Sequence, residues 1–223
     1  MALNDTIAGL YEALLAAFGY RDWWPGETPF EVMVGAVLTQ RTNWKNVEKA
    51  IAALAAEGAL DAHSLAQMDL ERLQTLIRPA GYYRQKSARV QRLARWLVER
   101  TGGDLKPLDG VPTDLLRAEL LALRGIGPET ADSILLYALE RPVFVVDTYT
   151  KRVVVRHGLL EPEAGYNDLQ ESFQSWLPDR VDLYKDYHAQ LVELGKRYCR
   201  TRPRCEGCPA RALLGEPLAE YCA

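Results

Sequence analysis

Apolar residues recur along this chain with the period of an α-helix. One early set falls at positions i, i+3, i+4, i+7 and i+8 of a single helical face: Phe30, Met33, Val34, Val37 and Leu38. The same spacing predicts helices within residues 47–54, 65–77, 85–100, 113–123, 129–139 and 182–197. Only residues 143–146 are rich in β-branched side chains, and four residues suit an extended connection better than a sheet. The pattern therefore predicts an all-α fold.

Composition adds that the chain can bury a core. It has 223 residues, of which 48% are hydrophobic and 26% charged, and its net charge is −3. One or two domains are expected at this length. No apolar stretch is long enough to span a bilayer, and the first residues lack a basic leader, so we expect a cytoplasmic protein without a membrane partner. The net charge does not point to nucleic acid, but it does not describe how charge is distributed.

Four cysteines are confined to the end of the chain: Cys199, Cys205, Cys208 and Cys222. Thiols stay reduced in the cytoplasm, so this confinement favours metal ligation over disulfides. Structural zinc usually takes two close pairs, whereas a single Cys-x-x-Cys flanked by longer intervals suits one compact iron–sulfur cluster. The sequence therefore favours a 4Fe–4S cluster over zinc. Four incidental cysteines are the remaining alternative.

The same segment concentrates positive charge. Residues 195–211 have a local balance of +5. If a metal pins the loops between the cysteines, Arg200, Arg202 and Arg204 form a fixed cationic finger that can contact phosphates. The alternative is that these arginines offset the negative charge of the thiolates. The two roles are compatible.

A short loop with two glycines joins two predicted helices at residues 123–132. Gly125 and Gly127 allow a positive φ and leave backbone N–H groups uncovered, and Pro128 suits the first position of the next helix. Backbone N–H groups at a helix start can bind a phosphate without any side chain. The alternative is an ordinary tight helical hairpin.

Aspartate 147 follows the extended run and precedes another helical segment. As a single residue, Asp147 is most simply an N-cap, because its carboxylate accepts first-turn N–H groups and complements the helix dipole. Asn43 is predicted to cap a helix in the same way.

Taken together, these features resemble the helix-hairpin-helix DNA glycosylases of the endonuclease III superfamily, which carry a terminal iron–sulfur cluster. The resemblance rests on the helices of residues 30–54, the Gly-Tyr-Tyr-Arg-Gln-Lys run from residue 81, the hairpin, the Val-Asp-Thr segment and the order of the cysteines. It implies a two-domain fold with the active cleft between the domains. A six-helix barrel would comprise residues 25–139, with the hairpin at about 113–139, and residues 1–24 and 140–223 would form the cluster domain.

The resemblance also implies roles for individual residues. The hairpin at Arg124, Gly125 and Gly127 would grip the backbone of double-stranded DNA that contains a damaged base. Gln40 would fill the gap left by the extruded base, and Asp147 would assist cleavage of the glycosidic bond. A monomer is expected.

Two departures from the family pattern concern the strand-cutting lyase step and the metal. Bifunctional members carry a lysine where this chain has Glu129, and a Schiff base needs an amine, so we expect a monofunctional enzyme with weak or absent lyase activity. Lys196 could in principle supply the amine. The interval before Cys222 is longer than usual, which makes Cys222 the least secure ligand.

Three segments resemble the 3-methyladenine DNA glycosylase III branch: Asp-Trp-Trp-Pro at residues 22–25, Leu-Thr-Gln at 38–40 with Trp44, and the hairpin glycines followed by Glu-Thr-Ala-Asp at 129–132. That resemblance implies that the indoles of Trp23 and Trp24, with Lys196, border a base pocket for an alkylated purine. A cationic base is attracted to indole faces and is already a good leaving group. The alternatives are that the tryptophans are packing residues, that the enzyme acts on oxidised or mismatched pyrimidines, or that the protein is a DNA-binding module whose activity has decayed.

Overall fold

The computed structural model describes residues 3–21 and 23–219. These residues form helices and no strand, which confirms the all-α prediction. The helices are α1 (Leu3–Phe18), α2 (Pro29–Leu38), α3 (Trp44–Ala56), α4 (Ala62–Gln67), α5 (Leu70–Leu76), α6 (Tyr83–Thr101), α7 (Thr113–Ala122), α8 (Pro128–Ser133), α9 (Thr148–Arg156), α10 (Tyr166–Trp176), α11 (Val181–Arg197) and α12 (Arg211–Leu214). None of the helices in the described ranges is long and apolar enough to cross a membrane. Cys222 lies outside the described residues.

The chain forms two compact units. The central unit comprises residues 24–141 and contains α2 to α8. The terminal unit is drawn from both ends of the chain, before residue 24 and after residue 141, and contains α1 and α9 to α12.

Helix α2 is the buried centre of the central unit. Apart from Glu31 in the first turn, its residues from Phe30 to Leu38 are buried, as expected for a helix that is apolar almost all round. The helix begins where Thr28 accepts a hydrogen bond from the Glu31 N–H at 3.1 Å. Asn43 caps α3 by accepting from the Asn46 N–H at 3.2 Å, as the sequence predicts. At the end of α2 the Thr39 N–H and hydroxyl both donate to the Gly35 carbonyl, at 2.9 and 2.7 Å, so the loop that carries Gln40 is fixed at both ends.

A buried lysine closes the end of α2. The Lys86 side chain is 1% exposed, and its ammonium donates to the Leu38 and Ala80 carbonyls at 2.8 and 2.7 Å. Burial lowers the pKa of Lys86 to about 8, and the nearby Arg89 charge adds to the shift.

Two predicted helical runs differ from the observed helices. The run 65–77 is two helices, because the chain turns at Met68 and Asp69 caps α5 by accepting from the Arg72 N–H at 2.9 Å. The run 129–139 begins as α8 and widens into a buried π-helical turn at Ile134–Ala138. The hydrophobic spacing thus locates both helical runs but does not reveal the break or the widened turn, because these leave the spacing nearly unchanged.

The terminal unit is held together by a polar cluster and an aromatic core. Asp186 is fully buried and accepts from the Tyr11 hydroxyl at 2.9 Å and the Arg21 N–H at 2.7 Å. Phe144 stacks on Phe173 with ring centroids 4.4 Å apart. The sequence pattern did not predict α1 or α10. Helix α1 nevertheless supplies Tyr11 to the polar cluster, and α10 supplies Phe173 to the aromatic core.

Candidate functional site

The hairpin loop lies between α7 and α8 in the central unit. Gly125 has φ +95° and so adopts the positive φ that glycine allows. Gly127 is extended, with φ −96° and ψ 177°. A Cβ on Gly127 would meet no atom within 4 Å. Neither backbone strain nor packing within the protein therefore requires glycine at position 127, and its surface is open.

A buried ion pair joins the two hairpin helices. Asp132 of α8 is fully buried, and Arg117 of α7 donates to its two carboxylate oxygens at 2.7 and 3.0 Å. A bidentate arginine–carboxylate pair fixes orientation as well as distance. The ion pair thus sets the angle at which the loop is presented. Glu129 lies exposed in the first turn of α8.

Gln40 lies against the hairpin loop. Its Nε2 donates to the Gly125 carbonyl at 3.1 Å and to the Thr130 hydroxyl at 3.0 Å. Its Oε1 accepts from the Arg89 guanidinium. The structure thus places Gln40 beside the hairpin loop, two features that the sequence analysis identified separately. Both Nε2 and Oε1 of Gln40 are hydrogen-bonded within the protein.

Two arginines of α6 that the sequence analysis missed contact this loop. A Cβ on Gly125 would lie 2.5 Å from Arg89 Nε, so the Arg89 side chain covers the glycine. Arg92 donates to the Arg124 carbonyl. No sequence signal marks these contacts, because α6 carries several other arginines with the same spacing.

The two neighbouring tryptophans have different surroundings. Trp24, with φ +82°, packs in the central unit against Trp44 and Tyr137, at centroid distances of 5.6 and 4.8 Å. The indole Nε1 atoms of Trp24 and Trp44 are buried without a hydrogen-bond partner among the described residues. Trp23 belongs to the terminal unit, where the Lys196 ammonium lies 4.8 Å from its ring centroid. A cation already occupies one face of Trp23.

Asp147 is the N-cap of α9, as the sequence predicts. Its Oδ1 accepts from the Thr150 N–H at 2.7 Å and the Thr150 hydroxyl at 2.9 Å. Its Oδ2 lies 3.8 Å from Nε2 of His188 on α11. The Asp147 side chain is 11% exposed and that of His188 is 7% exposed. One carboxylate oxygen is therefore used by the helix, while the other faces an imidazole.

His188 was missed by the sequence analysis. Burial lowers the pKa of His188; the Asp147 carboxylate opposes this shift and Lys196 adds to it. The imidazole is therefore mainly neutral at pH 7. A single histidine in an amphipathic helix gives no sign in the sequence of the residue that it faces.

Helix α9 is seated on α11 through a glycine. The Tyr149 ring lies against Gly195, where an added Cβ would come within 2.7 Å of the ring atom Cγ. This close approach fixes the start of α9, and hence Asp147, relative to α11.

Three of the predicted metal ligands lie around one open pocket of the terminal unit. Cys199, Cys205 and Cys208 line it. Burial raises the pKa of the Cys208 thiol, and the neighbouring Cys205 and Cys199 add to the rise. Within residues 3–21 and 23–219, no three Cys, His, Asp or Glu side chains are arranged to hold a metal ion. With Cys222 outside the described residues, the metal stays a prediction.

The basic segment is braced by α9. Arg156 lies 3.4 Å from Cys199 Sγ, and it donates to the Arg200 carbonyl and, at 2.6 Å, to the Thr201 carbonyl. Arg152 donates to the Cys199 carbonyl at 3.0 Å. Sequence reasoning did not identify Arg152 or Arg156.

The three arginines proposed as a cationic finger are exposed: Arg200, Arg202 and Arg204. Arg200 also donates to the Lys196 carbonyl at 2.7 Å and so helps to close α11. The finger residues thus lie on the surface of the terminal unit, on a loop whose backbone carbonyls accept hydrogen bonds from Arg152 and Arg156 of α9.

Comparison with known proteins identifies the family. Residues 34–179 match the family described as HhH-GPD superfamily base excision DNA repair protein. MJ1434 of Methanocaldococcus jannaschii, named as a candidate DNA repair glycosylase, is 45% identical over 93% of this chain and 94% of its own length.

Two solved structures have the same fold. A non-covalent endonuclease III–DNA complex has a TM-score of 0.80 and 26% identity, covering 96% of this chain and 95% of the other. The 3-methyladenine DNA glycosylase MagIII of H. pylori, bound to 1,N6-ethenoadenine, has a TM-score of 0.72 and 27% identity, covering 88% and 98%. The chain therefore belongs to the HhH-GPD superfamily and is a base excision repair DNA glycosylase of the endonuclease III-like, helix-hairpin-helix type.

Proposed function

We propose that this glycosylase is monofunctional: it extrudes a damaged base from duplex DNA and hydrolyses the N-glycosidic bond without cutting the strand. Extrusion is required because the bond is inaccessible within the base stack. The observation that carries the hydrolysis step is the anchored carboxylate of Asp147, which is largely buried and is held at Oδ1 by Thr150, while Glu129 at the lyase position carries the monofunctional assignment.

Asp147 acts on the deoxyribose as the base departs. Positive charge develops on the sugar, and a fixed carboxylate stabilises that charge or orients the attacking water. Thr150 orients the carboxylate, and the neutral His188 beside Oδ2 does not cancel its charge.

The hairpin binds the phosphate backbone. Gly127 is open to a close approach, and the bidentate pair between Arg117 and Asp132 holds the loop in place. Gln40 fills the space left by the extruded base, and its bonds to Gly125 and Thr130 fix it beside the hairpin loop. The exposed arginines of residues 200–204 add phosphate contacts.

The lyase step is weak or absent because Glu129 cannot form a Schiff base. Lys196 is the alternative amine, but its terminal nitrogen lies over the Trp23 ring, 4.8 Å from the ring centroid. Borohydride reduction in the presence of abasic DNA should therefore trap little or no covalent complex. Strong trapping that disappears in Lys196→Met would establish a bifunctional enzyme instead.

Alkylated purines are the proposed substrate class. The partly exposed Trp24 and Trp44 rings, packed with the buried Tyr137, offer aromatic surface for a flat base, and MagIII, with 27% identity, is bound to 1,N6-ethenoadenine. One observation favours the second candidate, an oxidised or mismatched pyrimidine. The Lys196 ammonium on Trp23 repels a cationic base on that face but tolerates a neutral one.

A 4Fe–4S cluster is the proposed cofactor, with Cys199, Cys205, Cys208 and Cys222 as its ligands. Three of these thiols line one pocket, and the donor set is entirely sulfur, which suits a cluster. When bound, the cluster supplies a structural anchor for the basic segment rather than redox turnover. Purified protein should be brown and absorb near about 400 nm, whereas bound zinc would leave it colourless.

The deciding experiment is a panel of duplexes that carry alkylated purines, oxidised pyrimidines or mismatches, with alkali used to reveal abasic sites. Asp147→Asn should lower base release by about 100-fold or more while retaining affinity for a duplex with an abasic-site analogue, because asparagine still caps α9. Asp61→Asn is the matched control, since Asp61 caps α4 in the same way, at 2.9 Å from the Ser64 N–H.

Two outcomes would contradict the proposal. Undiminished base release by Asp147→Asn removes the carboxylate from the mechanism. Duplex binding by the wild-type protein without release of any base in the panel favours a decayed DNA-binding module.

A further inference from the structure

Helix α6 presents two arginines to the hairpin loop. Arg89 and Arg92 are three residues apart and so share one face of the helix. Each arginine lies against backbone or a side chain of the loop region rather than reaching out from the surface: Arg92 donates to the Arg124 carbonyl, and Arg89 covers Gly125.

The contact from Arg92 fixes the direction of a peptide plane. In a trans peptide the C=O and the following N–H point in opposite directions. When the Arg124 carbonyl is held toward Arg92, the Gly125 N–H must point away from α6. Gly125 is the residue whose left-handed φ would most easily allow this peptide to rotate, so a restraint there has the largest effect.

Arg89 acts on the same loop through Gln40. Its guanidinium donates to Gln40 Oε1, and Gln40 Nε2 donates to the Gly125 carbonyl and the Thr130 hydroxyl. The carbonyls on both sides of Gly125 are thus held by side chains from outside the hairpin: Arg124 O by Arg92, and Gly125 O by Gln40.

We propose that Arg89 and Arg92 are positioning residues that hold the hairpin loop in its phosphate-binding conformation. Their side chains act through the loop carbonyls and Gln40, not through DNA. This inference rests on the proposed function of the hairpin as the phosphate grip. It assigns to α6 a role that the hairpin residues alone do not reveal.

The competing explanation is that these arginines are ordinary phosphate contacts. The salt dependence of binding separates the two explanations. The logarithm of the binding constant falls linearly with the logarithm of the salt concentration. Loss of a direct phosphate contact makes this slope less steep by about 1, whereas loss of a positioning residue weakens binding and leaves the slope unchanged.

The test compares Arg92→Met with Arg95→Met. Arg95 is the matched control because it also lies on α6 and donates to a backbone carbonyl, that of Ala66, at 3.1 Å, away from the hairpin. Fluorescence anisotropy measures binding to a duplex that carries a tetrahydrofuran abasic-site analogue, over a series of salt concentrations. Arg92→Met should raise Kd about tenfold at constant slope, while Arg95→Met stays within about twofold of wild type.

A second readout needs no DNA. The Ile126 N–H donates to the Leu123 carbonyl at 2.9 Å, which closes the loop turn. If Arg92 holds the neighbouring peptide, amide exchange at Ile126 should be about tenfold faster in Arg92→Met and unchanged in Arg95→Met. Arg92→Lys, which can still reach one carbonyl, should recover most of the protection and affinity.

Several results would overturn the proposal: unchanged exchange at Ile126, a slope reduced by about 1 in Arg92→Met, or equal losses in both variants. Circular dichroism and thermal unfolding establish that each variant is folded. If the wild-type protein binds no duplex, the proposed function fails, and the exchange data alone then decide whether the arginines brace the loop.

Discussion

Substitution by alanine should have different effects at the two hairpin glycines. It should lower the stability of the protein at Gly125 and its affinity for duplex DNA at Gly127. Gly125→Ala places a Cβ at φ +95°, which costs about 1–2 kcal/mol of strain. The Cβ would also lie 2.5 Å from Arg89 Nε and 2.9 Å from its Cδ. Arg89 must therefore move and lose its hydrogen bond to Gln40, which costs about another 1–2 kcal/mol at a partly exposed site.

The expected loss of unfolding free energy for Gly125→Ala is therefore about 2–4 kcal/mol. For a chain of this length, that corresponds to a melting temperature lower by about 5–15 °C. Gly127→Ala adds no strain and meets no atom within 4 Å, so its stability should stay within about 0.5 kcal/mol of wild type. Its duplex affinity should nevertheless fall about tenfold or more, because the methyl group occupies the open surface where a phosphate approaches.

Denaturant unfolding and fluorescence anisotropy on the same preparations measure the two effects. In an Arg89→Ala background the overlap is gone, and Gly125→Ala should cost only its backbone strain, about 1–2 kcal/mol. Equal costs in both backgrounds would refute the view that Arg89 covers this glycine. Equal stability losses at positions 125 and 127 would refute the conformational argument itself.

Two further predictions concern buried positions. The folded-state pKa of Lys86, about 8, lies below the ordinary 10.5, so between these pH values the unfolded chain binds more protons and stability should rise with pH, by at most about 3 kcal/mol. Lys86→Met should abolish that rise in urea unfolding series at pH 7.5–10, and parallel wild-type and variant curves would contradict the assignment. Gly195→Ala should destabilise by about 1–3 kcal/mol through overlap with Tyr149 and slow base release by displacing the start of α9; unaltered melting would show that the ring can move aside.

Local chemistry was predictable from the sequence, but long-range partnerships were not. The buried face of α2, the Asn43 cap and the Asp147 cap follow from spacing and side-chain type, and the structure confirms them. The turn at Met68 was missed because hydrophobic spacing continues across it.

Contacts such as those of Arg89 with Gln40 and His188 with Asp147 join residues about 40 or more positions apart. A single sequence does not reveal which arginine or histidine meets which partner, because many have the same local setting. The family resemblance predicted the hairpin and the order of the cysteines. The arginines that contact these segments, such as Arg92 and Arg156, were found only in the structure.

The double engagement of Asp147 has an energetic consequence. A free carboxylate in water must shed its hydration shell and select one rotamer before it can meet a developing cation. Asp147 has already done both during folding, since Thr150 holds Oδ1 and the side chain is largely shielded from solvent. In the proposed mechanism, the reorganisation that solution chemistry requires in every reaction is thus carried out once, when the chain folds, and is not repeated at each turnover.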